Sequence, residues 1–98
     1  MSEFIQAEYF RPYVGKIFRV VRTEFAFPLV DIMISNGRLP PDAKRRPFLL
    51  IFRTVKARSV LPEGLYDCEI EGGLKTSLYI TPIHTPQAGW QDYQSFFN

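Results

Sequence analysis

Apolar side chains recur at every second position in several short segments of the chain, and a period of two is typical of β-strands with one buried face. In LYDCEI, residues 65–70, the apolar positions alternate with Asp67 and Glu69. Clusters of proline and glycine separate the segments, as turns between strands require. The pattern predicts an all-β fold, a small antiparallel barrel or sandwich of about six strands. A short N-terminal helical turn, ended by Pro12, is expected before the first strand.

The size of the chain limits it to one hydrophobic core. With 98 residues, we expect a single all-β domain over residues 1–98. Cys68 is the only cysteine, so an internal disulfide is excluded. The N-terminal stretch MSEFIQAEYF contains acidic residues and no long apolar run, so we expect no export signal. The predicted location is the cytoplasm, or an assembled particle.

A bulge is predicted in the second strand, because strict alternation past Pro28 would bury the carboxylate of Asp31. An unpaired carboxylate in an apolar interior is costly. An extra residue near Pro28 would turn Asp31 outward and let the following apolar side chains take the core face. These side chains are Val30, Ile32 and Ile34.

The register of the hairpin around residues 72–73 can be chosen from its apolar pattern. A two-residue turn on the two glycines would place Lys75 in the core. A three-residue connection through Leu74 instead aligns Ile70 with Thr76 and keeps apolar groups together. Because a shift of one residue reverses every face of a strand, the pattern favours the three-residue form.

One strand is apolar on both faces, which is typical of a central or partner-covered strand. In PFLLIFRTV, an inward face of Phe48, Leu50 and Phe52 leaves Leu49 and Ile51 on the outer side. A loop or the N-terminal turn of the same chain could cover this outer patch, or a protein partner could. The candidate interface residues are Leu49, Ile51, Arg53, Leu65 and Tyr79.

The basic residues are concentrated in one part of the chain. Seven of them lie between positions 38 and 58, where only Asp42 is acidic. The following segment is acidic, so either an acidic partner binds the basic part or two neighbouring strands neutralise each other. The second possibility predicts Arg53 opposite Asp67 on the outer face.

The alternative function is binding of single-stranded nucleic acid. In it, Lys44, Arg45 and Arg46 would contact phosphates, and Tyr79 or Phe96 would stack on bases. A pI of 8.9 is only mildly basic for such a role, and we expect an acidic strand beside the basic one. A third and weaker possibility is a small ligand bound inside a barrel.

The sequence contains no pattern that indicates catalysis, a metal or a cofactor. His84 is the only histidine, and no Cys, His or Asp residues lie near it at ligand spacing. Cys68 falls on an inward face, where a thiol behaves as a small apolar group. No phosphate-binding loop or nucleophile elbow is present. No apolar run reaches the ~20 residues of a membrane helix. We therefore expect a non-enzyme with no cofactor, no metal and no membrane contact.

Several short motifs occur in an order that resembles an uncharacterised bacterial all-β domain family of about 100 residues. They are FRPYVGKIFRV, RRPFLLIFR, LPEGLYDCEI, SLYITPI and YQSFFN, and they cover the chain from about residue 10 to residue 98. The family has an arginine-rich loop, a Pro-Phe strand, a Leu-Pro-x-Gly-x-Tyr turn and a terminal Phe-Asn. Leu49 departs from it, since that position is commonly small and polar there. Some relatives lie near phage-tail-like genes, so the resemblance implies a protein-interaction or assembly role in a phage-tail-like or fibre-like particle, through a protein partner or self-assembly.

Overall fold

Six antiparallel strands close into a barrel in the computed structural model, which describes residues 6–39, 41–42, 46–55 and 57–98. The elements in chain order are α1 (Ala7–Phe10), a 3₁₀ turn (Arg11–Tyr13), β1 (Ile17–Val20), β2 (Ala26–Ile34), β3 (Phe48–Val55), β4 (Gly64–Ile70), β5 (Leu74–Ile83) and β6 (Trp90–Phe97). Around the barrel the order is β1-β2-β3-β6-β5-β4. The all-β prediction is confirmed, and the architecture is a barrel.

The N-terminal helical turn packs against one end of the barrel. Pro12 lacks the N–H group that a continuing α-helix needs, and α1 gives way to a 3₁₀ turn around it. The ring of Phe10 is fully buried and lies 6.2 Å from the ring of Phe48 and 5.5 Å from that of Phe97, centroid to centroid. The predicted short lead-in helix therefore contributes an aromatic ring to the core.

Aromatic rings in contact occupy the barrel interior. Phe27 stacks on Tyr93 at 4.7 Å and lies 5.2 Å from Phe52, which in turn meets Phe18 at 5.0 Å. The inward face predicted for β3 is confirmed, since its three apolar side chains are at most 1% exposed. Each such ring contributes about 1.5–3 kcal/mol through its burial. A ligand inside the barrel would have to displace these rings.

Strand β2 contains the predicted bulge, although its position differs from the expectation. The pairing with β3 skips Val30, because Leu29 and Asp31 lie opposite consecutive residues of β3. Asp31 is exposed, as predicted, and Ile32 and Ile34 are half-buried against the core. The prediction that Val30 faces the core was wrong. The alternation continues through Leu29 before the extra residue occurs, so Leu29 is buried and Val30 is 43% exposed.

The hairpin between β4 and β5 turns one residue earlier than predicted. Gly72 and Gly73 have φ of 105° and 102°, a conformation that is costly for any residue with a Cβ atom. The three-residue turn therefore spans residues 71–73, and Ile70 pairs with Leu74 rather than with Thr76. The predicted register was wrong by two residues. Since two is the period of a strand, every side chain keeps its predicted face.

The connection from β3 to β4 joins strands that are not neighbours in the barrel. Leu61 in this connection is 2% exposed, and its N–H donates a hydrogen bond to the hydroxyl of Tyr93 on β6 at 3.0 Å. The hydroxyl of Tyr66 donates to the carbonyl oxygen of Pro62 at 2.5 Å. These bonds hold the connection against the barrel. The strand that lies next to β3 is therefore not β4, which follows it in the chain, but β6.

Candidate protein-contact surface

Three apolar side chains form a row on the outside of the barrel, across β2, β3 and β6. Leu49 lies opposite Met33 on one side and opposite Phe96 on the other. Met33 is 54% exposed and Phe96 is 55% exposed, whereas Leu49 between them is half-buried. We call Met33, Leu49 and Phe96 the outer row. Leu49 is flanked by its neighbours and still reaches solvent.

A shallow apolar groove of about 240 Å³ runs beside the outer row, at the end of the barrel where β2 ends and β3 begins. Ile34, Pro47 and Phe48 line it together with the side chains of the row. Cavities that hold drug-sized ligands usually measure about 300–1,000 Å³. The groove is smaller and open, which suits a single apolar side chain of a protein partner.

Ile51 lies one pleat further along β3 and has polar neighbours. Asp31 of β2 is opposite it on one side, and Gln94 of β6 is opposite it on the other. Ile51 is half-buried and Asp31 is exposed. The sequence placed Leu49 and Ile51 in one patch, but the strand pairing gives Leu49 apolar neighbours and Ile51 polar ones.

Leu65 and Tyr79 form a second exposed apolar pair, on β4 and β5. They lie opposite each other, with Leu65 71% exposed and Tyr79 50% exposed. The pairing of β5 with β6 begins at Thr81, opposite Gln94, so Tyr79 lies two residues before the paired part of β5. The outer row lies on β2, β3 and β6, whereas this pair lies on β4 and β5.

The hydroxyl of Tyr79 is engaged by an acidic side chain. It donates a hydrogen bond to Oε2 of Glu63 at 2.6 Å. This hydrogen bond raises the pKa of Tyr79 above its usual value, with smaller contributions from burial and from the charge of Glu63. One of the two rings considered for base stacking is thus held beside a carboxylate, which repels phosphate.

Arg53 is tied to its neighbouring strand by a bidentate ion pair. Its Nε donates to Oδ1 of Asp92 at 2.7 Å, and a terminal nitrogen donates to Oδ2 at 2.9 Å. The hydrogen bonds from Arg53 lower the pKa of Asp92 despite its burial. The predicted pairing of Arg53 with Asp67 was wrong, because β3 pairs with β2 and β6, and Asp67 accepts a hydrogen bond from Ser77 instead.

The basic loop proposed for nucleic-acid contact is only partly described. Lys44 and Arg45 lie outside the described residues. Arg46 donates from one terminal nitrogen to the carbonyl oxygens of Ser35 at 3.2 Å and Gly37 at 2.7 Å. Arg46 therefore holds the backbone that follows β2, and part of its donor capacity is used within the chain.

Reactive and metal-binding groups are few in the part of the chain that the structure describes. It contains no group of three or more His, Cys, Asp or Glu side chains that could hold a metal, and His84 is exposed. Burial raises the pKa of the Cys68 thiol to about 11, so at neutral pH the thiol is protonated and a poor nucleophile. No described helix has both the length and the apolar character needed to cross a bilayer.

Sequence reasoning found β3 as the strand with two apolar faces but did not find its partners on the surface. The apolar pattern does not indicate Met33 as a surface neighbour of Leu49, and it indicates Phe96 only as a ring that could stack on bases. The available signal was the bulge, since one extra residue in β2 is what turns Met33 outward. Nothing local to the sequence indicates that β6 lies beside β3.

Comparison with known proteins gives one match. A family model described as a domain of unknown function (DUF6916) matches residues 5–97, which include all six strands and α1. No curated protein and no solved structure matches significantly. The surface of the barrel is thus the source from which a function can be inferred.

Proposed function

Since the chain belongs to the DUF6916 family, whose description names no activity, we propose from its own surface that it is a non-catalytic protein-interaction or assembly domain. The observation that carries the proposal is the outer row beside its apolar groove. Contiguous apolar surface on a soluble protein is usually a contact site. The particle suggested by the sequence resemblance, one that is phage-tail-like or fibre-like, is the assembly in which we place it.

The outer row can supply binding energy of a useful size. A phenylalanine side chain buries about 150–250 Å² when fully covered. Phe96 is 55% exposed, so a partner would cover roughly 100 Å² more of it. At about 25 cal/mol per Å² this is worth roughly 2–3 kcal/mol, the range of residues that dominate protein interfaces.

The nucleic-acid alternative has less support from the same surface. Arg46 bonds two carbonyl oxygens of its own chain, and Tyr79 bonds Glu63. Phe96 lies in the outer row, where the side chains opposite Leu49 are apolar rather than basic. Groove binding to single strands needs aromatic rings interleaved with cations, and the described outer row has no cation in it.

The experiment is co-purification of the tagged chain from its native host, followed by measurement of affinity for the captured protein. The test variants are Met33→Ser and Phe96→Ser. Val55→Ser is the matched control, because Val55 is 66% exposed on β3, the strand of Leu49, but lies away from the outer row. Circular dichroism checks that each variant is folded.

We expect Phe96→Ser to weaken the captured complex at least tenfold and Val55→Ser to leave it unchanged. A partner that binds the outer-row variants and the wild type equally would refute the proposal. Tight binding to single-stranded oligonucleotides that falls steeply with salt would favour the alternative instead.

A further inference from the structure

The first half of β5 has an edge without a described partner strand. β4 pairs with β5 along residues 74–80, whereas the pairing of β5 with β6 covers residues 81–83. Within the described parts of the chain, no strand pairs with residues 74–79 on the side away from β4. An edge of this kind carries backbone donors and acceptors that a further strand can use.

Hydrogen bonds on the other side of the sheet determine which backbone groups face this edge. The N–H of Glu71 donates to the carbonyl of Ile17 at 2.8 Å, and the N–H of Val21 donates to that of Asp67 at 2.9 Å. Odd-numbered residues of β4 therefore bond to β1, and even-numbered ones bond to even-numbered residues of β5. The residues of β5 left to direct N–H and C=O groups to the open edge are Lys75, Ser77 and Tyr79.

We propose that this edge pairs with the same edge of a second copy of the chain, antiparallel and two-fold symmetric about Ser77. The inference rests on the proposed function and names a partner for it. In this register Ser77 lies opposite its own copy, and Lys75 lies opposite Tyr79 of the second copy. Each pair can exchange two backbone hydrogen bonds, and both copies use the same surface, as a closed dimer requires.

The charges beside the edge are complementary across the two-fold axis. The side chain of Lys75 is 77% exposed, and its ammonium lies 4.0 Å from Glu69. In the dimer it faces Tyr79 of the second copy, whose hydroxyl is bonded to Glu63. An ammonium against an aromatic ring and a carboxylate is favourable, and Leu65 adds apolar surface next to the ring.

A lysine on an edge strand can also protect a protein from unwanted pairing. Such protection works when the incoming strand offers the ammonium no partner. Here the incoming strand is the same sequence, and it brings Glu63 and Tyr79 to the position that Lys75 faces. The self-complementary pattern is what distinguishes a second copy from any other extended strand as the occupant.

The first test is the oligomeric state, measured by light scattering and sedimentation over a concentration series. Ser77→Pro removes an N–H that faces the open edge and leaves the bonds to β4 in place. Ser77→Ala is the matched control, because it loses the same hydroxyl bond to Asp67 but keeps the N–H. We expect wild type and Ser77→Ala to dimerise and Ser77→Pro to raise the dimer Kd at least tenfold.

A charge exchange tests the register without relying on proline. Lys75→Glu and Glu63→Lys should each raise the dimer Kd at least tenfold, and the double variant should restore dimerisation. Restoration requires the two side chains to meet across the dimer, which a general loss of stability would not reproduce. This pair of variants decides the question if Ser77→Pro fails to fold.

Cross-linking gives a third measurement. Opposed residues in a hydrogen-bonded antiparallel pair have Cα atoms about 5.5 Å apart, within the range of a disulfide. Ser77→Cys should therefore form a covalent dimer under mild oxidation, whereas Ser59→Cys, at an exposed position in the connection before β4, should not.

The proposal is overturned if the wild type is monomeric at every concentration up to its solubility limit, or if Ser77→Pro and both charge variants dimerise as the wild type does. This failure differs from failure of the proposed function. A monomeric wild type that still binds a captured protein through Phe96 refutes the dimer alone, whereas loss of both refutes the interaction domain as well.

Discussion

The ion pair between Arg53 and Asp92 is expected to stabilise the barrel measurably, and Asp92→Asn is the substitution that tests it. Asp92 is 6% exposed and accepts two hydrogen bonds from the guanidinium of Arg53. The substitution keeps the size of the side chain, removes its charge and replaces one acceptor oxygen by a donor. The amide N–H group then faces the N–H groups of Arg53.

The expected cost follows from the geometry. A hydrogen bond to a charged group contributes about 1.5–3 kcal/mol, and a buried group left facing the wrong partner adds to the loss. Arg53 is more than a third exposed, so water compensates part of it. We therefore expect Asp92→Asn to lower the free energy of unfolding at pH 7 by about 2 kcal/mol. A domain of this size has a total stability of only about 5–15 kcal/mol.

The same ion pair predicts a pH dependence. The pKa of Asp92 is lower in the folded chain than in the unfolded chain, with the hydrogen bonds from Arg53 as the main cause. Its stabilisation is therefore complete above the unfolded pKa of about 3.9, and it is lost as the pH falls through the lower folded value. The difference in stability between wild type and Asp92→Asn should shrink as the pH falls below about 4.

Urea unfolding followed by circular dichroism, at neutral pH and at a series of acidic pH values, measures both quantities. A double-mutant cycle with Arg53→Met separates the pair from the individual side chains. A difference at pH 7 below about 0.5 kcal/mol, within the usual range for surface substitutions, or one independent of pH, would refute the reasoning.

Three further predictions concern the core, the hairpin and the thiol. Phe10→Ala should destabilise the barrel by about 3–5 kcal/mol in urea unfolding, because it leaves a cavity at the end that α1 fills. A cost below about 1 kcal/mol would show that α1 is dispensable. Gly73→Ala should lower the free energy of unfolding by about 1–2 kcal/mol through its positive φ alone, since an added Cβ meets no atom within 4 Å. Gly37→Ala is the control and should be nearly neutral, because Gly37 does not have a positive φ. Cys68 should react with a thiol reagent at pH 8 only after unfolding, and rapid labelling of the folded chain would contradict its burial.

The faces of the strands follow from the sequence because alternation is a local property of an extended chain. Phe48, Leu50 and Phe52 point inward, and Leu49 and Ile51 outward, whichever strands lie beside them. The same holds for β5, where an error of two residues in the register left every face correct. The need to turn the carboxylate of Asp31 outward likewise indicated a bulge before its position was known.

Which strands are neighbours was decided only by the tertiary structure. The outer row joins residues from β2, β3 and β6, and Arg53 meets a carboxylate 39 positions away rather than the expected Asp67. Strand order depends on how the connections close the barrel and on which arrangement covers all the inward faces at once, and no short segment encodes either condition. The sequence by itself therefore determined the apolar sides of β3, β4 and β5. The tertiary structure decided where the bulge in β2 lies and, through the closure of the barrel, which apolar sides meet on the surface.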